Sequence, residues 1–148
     1  MQFALIILLN HTYLFSFLLS GVAYCNTSEN GCELCPIKVL DSRGSGSSAG
    51  VIAGIDKTTA DCQSLTNTKC VLNMSLGGGF YSVLNTAVNN AVAAGVTVVV
   101  AAGNSSADAC NESPARVPEA ITVGSTTQYY AAASCCNYGS CVDWWPPG

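Results

Sequence analysis

The sequence predicts an α/β fold in which parallel strands alternate with crossover helices. Short apolar runs rich in β-branched residues, at Cys70–Met74, Val96–Ala101 and Ala120–Val123, are typical of buried strands. In two further segments the apolar residues recur at the spacing of a helix. One segment lies before the first run, and the other lies between the first run and the second. Strands that alternate with helices indicate a parallel sheet, because each helix returns the chain to the end where the previous strand began.

Two segments carry the helical patterns. Ala49–Thr59 follows a Gly/Ser loop, Ser42–Ser48, and Ser47 or Ser48 is a suitable N-cap. Tyr81–Ala94 has an apolar face and is expected to end at Gly95. That face consists of Val83, Leu84, Ala87, Val88, Ala91 and Val92. The uninterrupted run Val96–Ala101 predicts a strand that is buried on both faces.

Composition excludes some functions. The chain has 148 residues, which suits one domain, and only 9% of them are charged, with a formal net charge of -4. No basic stripe of the kind that binds nucleic acid is present, so we expect no nucleic-acid partner.

The cysteine content indicates an oxidising, secretory environment. Nine cysteines occur together with N-glycosylation sequons at Asn10, Asn26, Asn73, Asn104 and Asn111, and we expect a secreted protein with disulfides. An odd number leaves at least one thiol free or paired between chains. Cys32-x-x-Cys35 could be half of a zinc site or a redox pair, but the only histidine is His11, so structural disulfides are favoured.

Residues 1–20 form an apolar leader, which is either a signal peptide or a non-native start of the chain. No Lys or Arg precedes Lys38, which weakens the first alternative. The polar break Asn10–Thr12 argues against a stable membrane span. Residues 21–148 then form the domain.

Two glycine-rich segments follow predicted strands, Asn73–Gly79 and Ala101–Asn104. If those strands are neighbours, the segments flank one cleft, because ligands bind parallel sheets at the carboxyl ends of strands. Glycines there would admit an extended peptide that binds through its main chain. The alternative is that both segments are ordinary turns between strand and helix.

Several motifs in order carry a family resemblance. NMSLGGG, GVTVVVAAGN, SPARVPEAITVGS and NYGSCVDWWPPG are preceded by Gly21-Val22-Ala23 and by KVLD with Gly44-Ser45-Gly46. Residues 21–148 thus resemble the central part of the subtilisin-like serine proteases, and most of all their proteinase K branch. The resemblance implies a three-layer α/β fold with a parallel sheet, here incomplete, and a peptide or protein as substrate.

The resemblance also implies roles for particular residues. Asn104 corresponds to the asparagine that donates to the oxyanion of the tetrahedral intermediate. Three segments correspond to the substrate-binding site: one pocket wall is Ser75, Leu76 and Gly77, the other wall is Ala101, Ala102 and Gly103, and the edge that pairs with the substrate backbone is Gly44, Ser45 and Gly46. The small wall residues predict a roomy, apolar pocket.

A structural calcium ion is the only cofactor that the resemblance implies, and none is required for the chemistry. Its ligands would be the carbonyls of Pro118 and Ala120 and the carboxylate of Asp143. The alternative is that Asp143 is simply a surface carboxylate.

The motifs that supply the Asp, His and Ser of the family's catalytic triad are missing from the sequence. Asp41-Ser42 imitates the aspartate motif but belongs to the KVLD strand, and His11 lacks the HGT context. We therefore expect no peptide hydrolysis by this chain alone. The chain is either part of a serine endopeptidase that is cut short, a catalytically inactive secreted peptide-binding module, or a cysteine-rich structural fragment.

Overall fold

The computed structural model describes residues 7–9, 12–14, 21–28, 31–65 and 69–147, and the side chains from residue 35 onward. The strands are β1 (Ile7–Leu9), β2 (Thr12–Leu14), β3 (Gly21–Ser28), β4 (Gly31–Lys38), β5 (Lys69–Met74), β6 (Gly78–Gly79), β7 (Thr97–Ala101), β8 (Glu112–Ser113) and β9 (Ile121–Val123). The helices are α1 (Ser48–Ser64), α2 (Ser82–Ala93) and a short 3₁₀ helix, Ala109–Asn111.

The main sheet has five strands in the order β4-β3-β5-β7-β9. The predicted parallel sheet is confirmed for β5, β7 and β9, and α2 crosses between the first two. The hairpin of β3 and β4 was not predicted, and it inserts β3 antiparallel beside β5. The α/β fold class is confirmed, with an antiparallel strand inside its sheet.

Both helices cover the same face of the sheet. The crossovers from β4 to β5 and from β5 to β7 advance in one direction along the strand order. Since such crossovers are right-handed, they place α1 and α2 on one side, where the two helices contact each other. The described helices and sheet therefore form two of the three expected layers.

The core lies between this sheet face and the helices. Its fully buried side chains include Ile55 of α1, Leu72 and Met74 of β5, Val88 of α2 and Val98 of β7. β7 alternates between buried and less buried positions, and Val99 is only half-buried. The expectation of a strand buried on both faces was therefore wrong: no described helix covers its second face.

Helix α1 is longer than predicted and continues past Thr59 to Ser64. Near the predicted end, the hydroxyls of Thr58 and Thr59 donate to the carbonyls of Gly54 and Ile55, one turn back, at 2.9 Å. An ion pair between Lys57 and Asp61 at 2.9 Å supports the extra turn. The predicted N-cap is confirmed, since Ser47 Oγ accepts from the N–H of Gly50.

Helix α2 matches its prediction closely. Gly95 ends it with a φ of 91°, and its N–H donates to the carbonyl of Val92 while Val96 donates to Ala91. Leu84, Ala87, Val88 and Ala91 are buried. Val83 was wrongly assigned to the buried face: 52% of it is exposed.

Of the predicted leader, only β1 and β2 are described, and they pair antiparallel. The remainder of the leader lies outside the described residues. Within the described ranges, no helix is long and apolar enough to cross a membrane.

Disulfides join Cys62 to Cys70 and Cys110 to Cys141, so the expectation of disulfides is confirmed. Cys35, Cys135 and Cys136 are free thiols. In the part of the chain that the structure describes, no three His, Cys, Asp or Glu residues gather in a way that could hold a metal ion.

Candidate substrate-binding site

The two glycine-rich segments follow β5 and β7, which are parallel neighbours in the sheet and end at the same height. Met74 at the end of β5 pairs with Val100 of β7, so Ser75–Gly77 and Ala101–Gly103 continue side by side. The condition for a shared cleft, that the two strands be neighbours, is therefore met. Both segments lie at the carboxyl end of the sheet, where such folds bind ligands.

A cavity of about 410 Å³ opens beside the first segment. It brings together two of the three segments assigned to the substrate site, Gly44–Gly46 and Ser75–Gly77. Leu40, Val51, Tyr81 and Leu84 supply apolar walls. The segment Ala101–Gly103 does not line this cavity, because it lies on the far side of Ser75–Gly77.

The segment Gly44–Gly46 is an exposed loop that Asp41 shapes. The Oδ1 atom of Asp41 accepts from the N–H groups of Arg43 and Ser45, each at 2.9 Å. These two hydrogen bonds, with that from Ser45 the stronger cause, lower the pKa of Asp41 below its usual value. Asp41 therefore shapes this loop. It lies after the end of β4 and not, as the sequence analysis had expected, within a strand.

Gly46 is needed because the chain passes close to the two residues that follow β4. A Cβ placed on it would lie 2.3 Å from the carbonyl oxygen of Val39 and 2.7 Å from Leu40 Cδ2. Gly44 has open space around its Cα but a φ of 77°, which side chains disfavour. The two glycines thus serve different purposes in one loop.

The segment Ser75–Gly77 is fixed from the β5 side. Asn73 is buried, and its Nδ2 atom donates to Ser75 Oγ at 3.3 Å. Leu76 packs against the main core. Because Asn73 is only 5% exposed, its sequon is not accessible in the folded chain.

The second segment is held by Asn137, a residue that the sequence analysis did not single out. Asn137 is 0% exposed, its Nδ2 donates to the Ala102 carbonyl at 2.9 Å, and its backbone N–H donates to the Gly103 carbonyl at 2.9 Å. Its Oδ1 accepts from the N–H groups of Ser105 at 2.8 Å and Ala107 at 3.1 Å. One buried amide thus fixes the loop on both sides of Asn104.

Asn104 itself is exposed, and in the described part of the chain its side chain has no hydrogen-bond partner. It follows Gly103, whose φ of 105° turns the chain away from β7. The side chain is therefore free to donate to a ligand, which is what the assigned oxyanion role requires. That role remains a prediction.

Two more residues near the cleft were missed. Ser113 lines the cavity, and its Oγ accepts from the N–H of Tyr81 at 2.9 Å, which ties the start of α2 to β8. Glu112 is half-buried, and its Oε2 lies 2.6 Å from where a Cβ on Gly103 would be. Neither spacing nor hydrophobic pattern marks either residue, because β8 has only two residues and reaches the cleft through tertiary contacts.

The residues assigned to calcium lie around the start of β9. Asp143 Oδ2 accepts from the N–H of Thr122 at 2.7 Å, so the carboxylate lies near the strand that follows Ala120. One carboxylate and two carbonyls are oxygen donors of the kind that Ca²⁺ takes, although one charge binds it weakly. The donor set fits Ca²⁺ better than a transition metal, and calcium remains a prediction.

Comparison with known proteins identifies the family. Residues 10–146 match the model of the Subtilase family, so the chain belongs to the subtilases. The resemblance found in the sequence is thereby confirmed.

Individual relatives agree. The chain is 56% identical over 119 residues to "Extracellular serine proteinase" of a Thermus species, covering 80% of this chain and 28% of the relative. It is 52% identical over 116 residues to "Alkaline serine exoprotease A" of Vibrio alginolyticus, covering 78% of this chain and 21% of the relative. "Subtilisin-like protease 2" of Pseudogymnoascus destructans is 47% identical over 130 residues, 88% of this chain and 31% of that protein.

A solved structure agrees as well. The crystal structure of a cold adapted subtilisin-like serine proteinase matches with a TM-score of 0.71 and 50% identity, over 76% of this chain and 40% of that one. The chain thus spans well under half the length of the relatives it matches.

Proposed function

We propose that this chain supplies the substrate-binding part of a secreted subtilisin-like serine endopeptidase. An extended peptide would lie between Gly44–Gly46 and Ser75–Gly77, and Asn104 would donate to the oxyanion. The observation that carries the proposal is the cavity of about 410 Å³ that both segments line. Family membership supports a peptide substrate.

Exposed main-chain groups support the mode of binding. Ser75, Gly77 and Gly46 are exposed, and an extended peptide can pair with such edges by main-chain hydrogen bonds. The N–H and carbonyl of Ser45 already bond Asp41, so the peptide would pair with the neighbouring groups. The apolar walls Leu40, Val51 and Leu84 would take a side chain of the peptide. Secretion is supported by the disulfides and by relatives that are named extracellular.

Hydrolysis needs a nucleophile and a base that the family motifs of this sequence do not provide. A hydroxyl without an adjacent base is a weak nucleophile. We therefore expect the purified chain to bind peptides without cleaving them. A second candidate, a catalytically inactive secreted peptide-binding module, predicts the same binding.

Fluorescence anisotropy with a labelled, extended hexapeptide tests the cleft. The Gly78→Val variant is the sharpest probe, because Gly78 lines the cavity and a Cβ there meets nothing within 4 Å. We expect this variant to fold normally and to lose peptide affinity about tenfold or more, while Tyr129→Ala, at a residue that is 80% exposed and outside the cavity lining, binds as the original chain does. Equal affinity of all three proteins would refute the assigned cleft.

An active-site-directed fluorophosphonate label and a fluorogenic peptide test the missing chemistry. Specific labelling or turnover would show that the chain has a working nucleophile. A longer reading frame that encodes an HGT motif before residue 21 and a GTSMA motif after residue 148 would favour the endopeptidase over the binding module.

A further inference from the structure

The segment Glu112–Ser113 reaches both walls of the proposed substrate site. β8 pairs antiparallel with β6, so that Ser113 faces Gly78 and Glu112 faces Gly79. A Cβ on Gly77 would lie 3.6 Å from the Ser113 carbonyl oxygen, which brings the segment to the first wall. The Glu112 carboxylate meets Gly103 of the second wall. This short strand therefore spans the space between the walls.

Within the described ranges, the Glu112 carboxylate has no ion-pair or hydrogen-bond partner. Arg116 is near in sequence, and its N–H donates to the Glu112 carbonyl at 3.0 Å. Its guanidinium, however, sits over the ring of Phe80, 4.6 Å from the ring centroid. The cation is thus held by another partner, and the half-buried carboxylate remains available.

An unpaired carboxylate attracts a cation, and a hydrogen bond between two charged groups is stronger than one between neutral groups. The two walls, Ala101–Gly103 and Ser75–Gly77, contain only uncharged residues, so they supply no competing charge. With the Glu112 carboxylate between its walls, the pocket carries a negative charge, so it is not the purely apolar pocket that the small wall residues alone had predicted.

We propose that Glu112 determines specificity and that the site prefers a substrate with a lysine or arginine side chain between the two walls. This inference rests on the proposed peptide-binding function. The apolar stem of the basic side chain would lie along the small residues of the walls, and its cationic end would reach the Glu112 carboxylate.

The test compares two labelled peptides that differ only in a terminal amino group, Ala-Ala-Ala-Lys amide and Ala-Ala-Ala-norleucine amide. Anisotropy titrations of the whole chain at low salt give both dissociation constants. We expect the lysine peptide to bind about tenfold more tightly, the usual effect of one hydrogen bond to a charged group. The preference should shrink as salt is added.

Three variants test whether Glu112 causes the preference for the lysine peptide. Glu112→Gln keeps the shape and removes the charge, so it should bind both peptides equally while its affinity for the norleucine peptide is unchanged. Glu112→Lys should instead favour a peptide that ends in glutamate. Asp56→Asn is the charge control, because it removes an exposed carboxylate of α1 that lies outside the cavity lining, and it should keep the lysine preference.

Three other outcomes would each contradict the inference, and each of them points to a different cause. If the original chain binds both peptides equally well, the cleft exists but Glu112 does not set its specificity. A lysine preference that survives in Glu112→Gln has another origin. Failure of both peptides to bind removes the proposed cleft together with its specificity.

Discussion

The side chain of Asn137 and the carbonyl of Ala102 are joined by a buried hydrogen bond of 2.9 Å. Through this bond, and through two further bonds accepted by its Oδ1, Asn137 fixes the loop that follows β7 and carries Asn104. Removal of the Asn137 side chain would leave the N–H groups of Ser105 and Ala107 and the carbonyl of Ala102 without this hydrogen-bond partner.

Asn137→Ala should therefore lower the free energy of unfolding by about 2–4 kcal/mol, because several hydrogen bonds of a fully buried group are lost together. Urea denaturation followed by circular dichroism measures the change. Ser140→Ala, at an exposed neighbouring position, should stay within about 0.5 kcal/mol of the original chain. A difference between the variants of less than 1 kcal/mol would mean that the loop is held by other contacts.

The two disulfides among the described side chains should contribute unequally to stability. The Cys110–Cys141 bond closes a separation of 31 residues, whereas Cys62–Cys70 closes 8. Loop-closure entropy then predicts a loss of about 3.7 kcal/mol for the first bond and about 2.5 kcal/mol for the second. Denaturation of the two double Cys→Ala variants gives the comparison, and the opposite order would contradict the prediction.

A methyl group at Gly46 should disturb the edge loop. Because its Cβ would overlap the Val39 carbonyl, Gly46→Ala should cost about 1–3 kcal/mol of stability through displacement of the loop. Gly78→Ala is the matched control, since the same atom there meets open space. Equal thermal midpoints of the two variants would show that the loop adapts freely.

Acid should loosen the same loop. The pKa of Asp41 is lowered in the folded chain, so its contribution to stability is present above its unfolded value of about 3.9 and is lost as the pH falls through the lower, folded value. An NMR titration of the Asp41 carboxyl carbon should give a midpoint below that value. The amide shifts of Arg43 and Ser45 should follow the same midpoint and lose this transition in Asp41→Asn; a normal midpoint would exclude the two hydrogen bonds to the carboxylate.

The sequence predicted those parts of the fold whose signal is local. The apolar spacing of α2, the glycine at its end and the β-branched run of β7 all reflect contacts within a few residues. The antiparallel β3 was missed because strand direction depends on distant partners. The end of α1 was missed because the hydroxyls of Thr58 and Thr59 bond within the helix rather than ending it.

The sequence predicted only part of the candidate site. Its glycine-rich segments are visible as motifs, and the structure brings Gly44–Gly46 and Ser75–Gly77 to one cavity. Asn137 acts on Gly103 across a long stretch of chain and Glu112 across the loop that follows β7, and neither has a local pattern that reveals this. Residues that support a site from a distance are found only once the fold is known.

The crowding around Gly103 also bears on how this protein can change over evolutionary time. A side chain at this position would lie 2.4 Å from Asn137 Nδ2 and 2.6 Å from Glu112 Oε2, and would require an unfavourable φ as well. A single replacement there would disturb a buried amide and a carboxylate at once. Variation in selectivity among descendants of this chain should therefore accumulate at Glu112, while Gly103 stays unchanged.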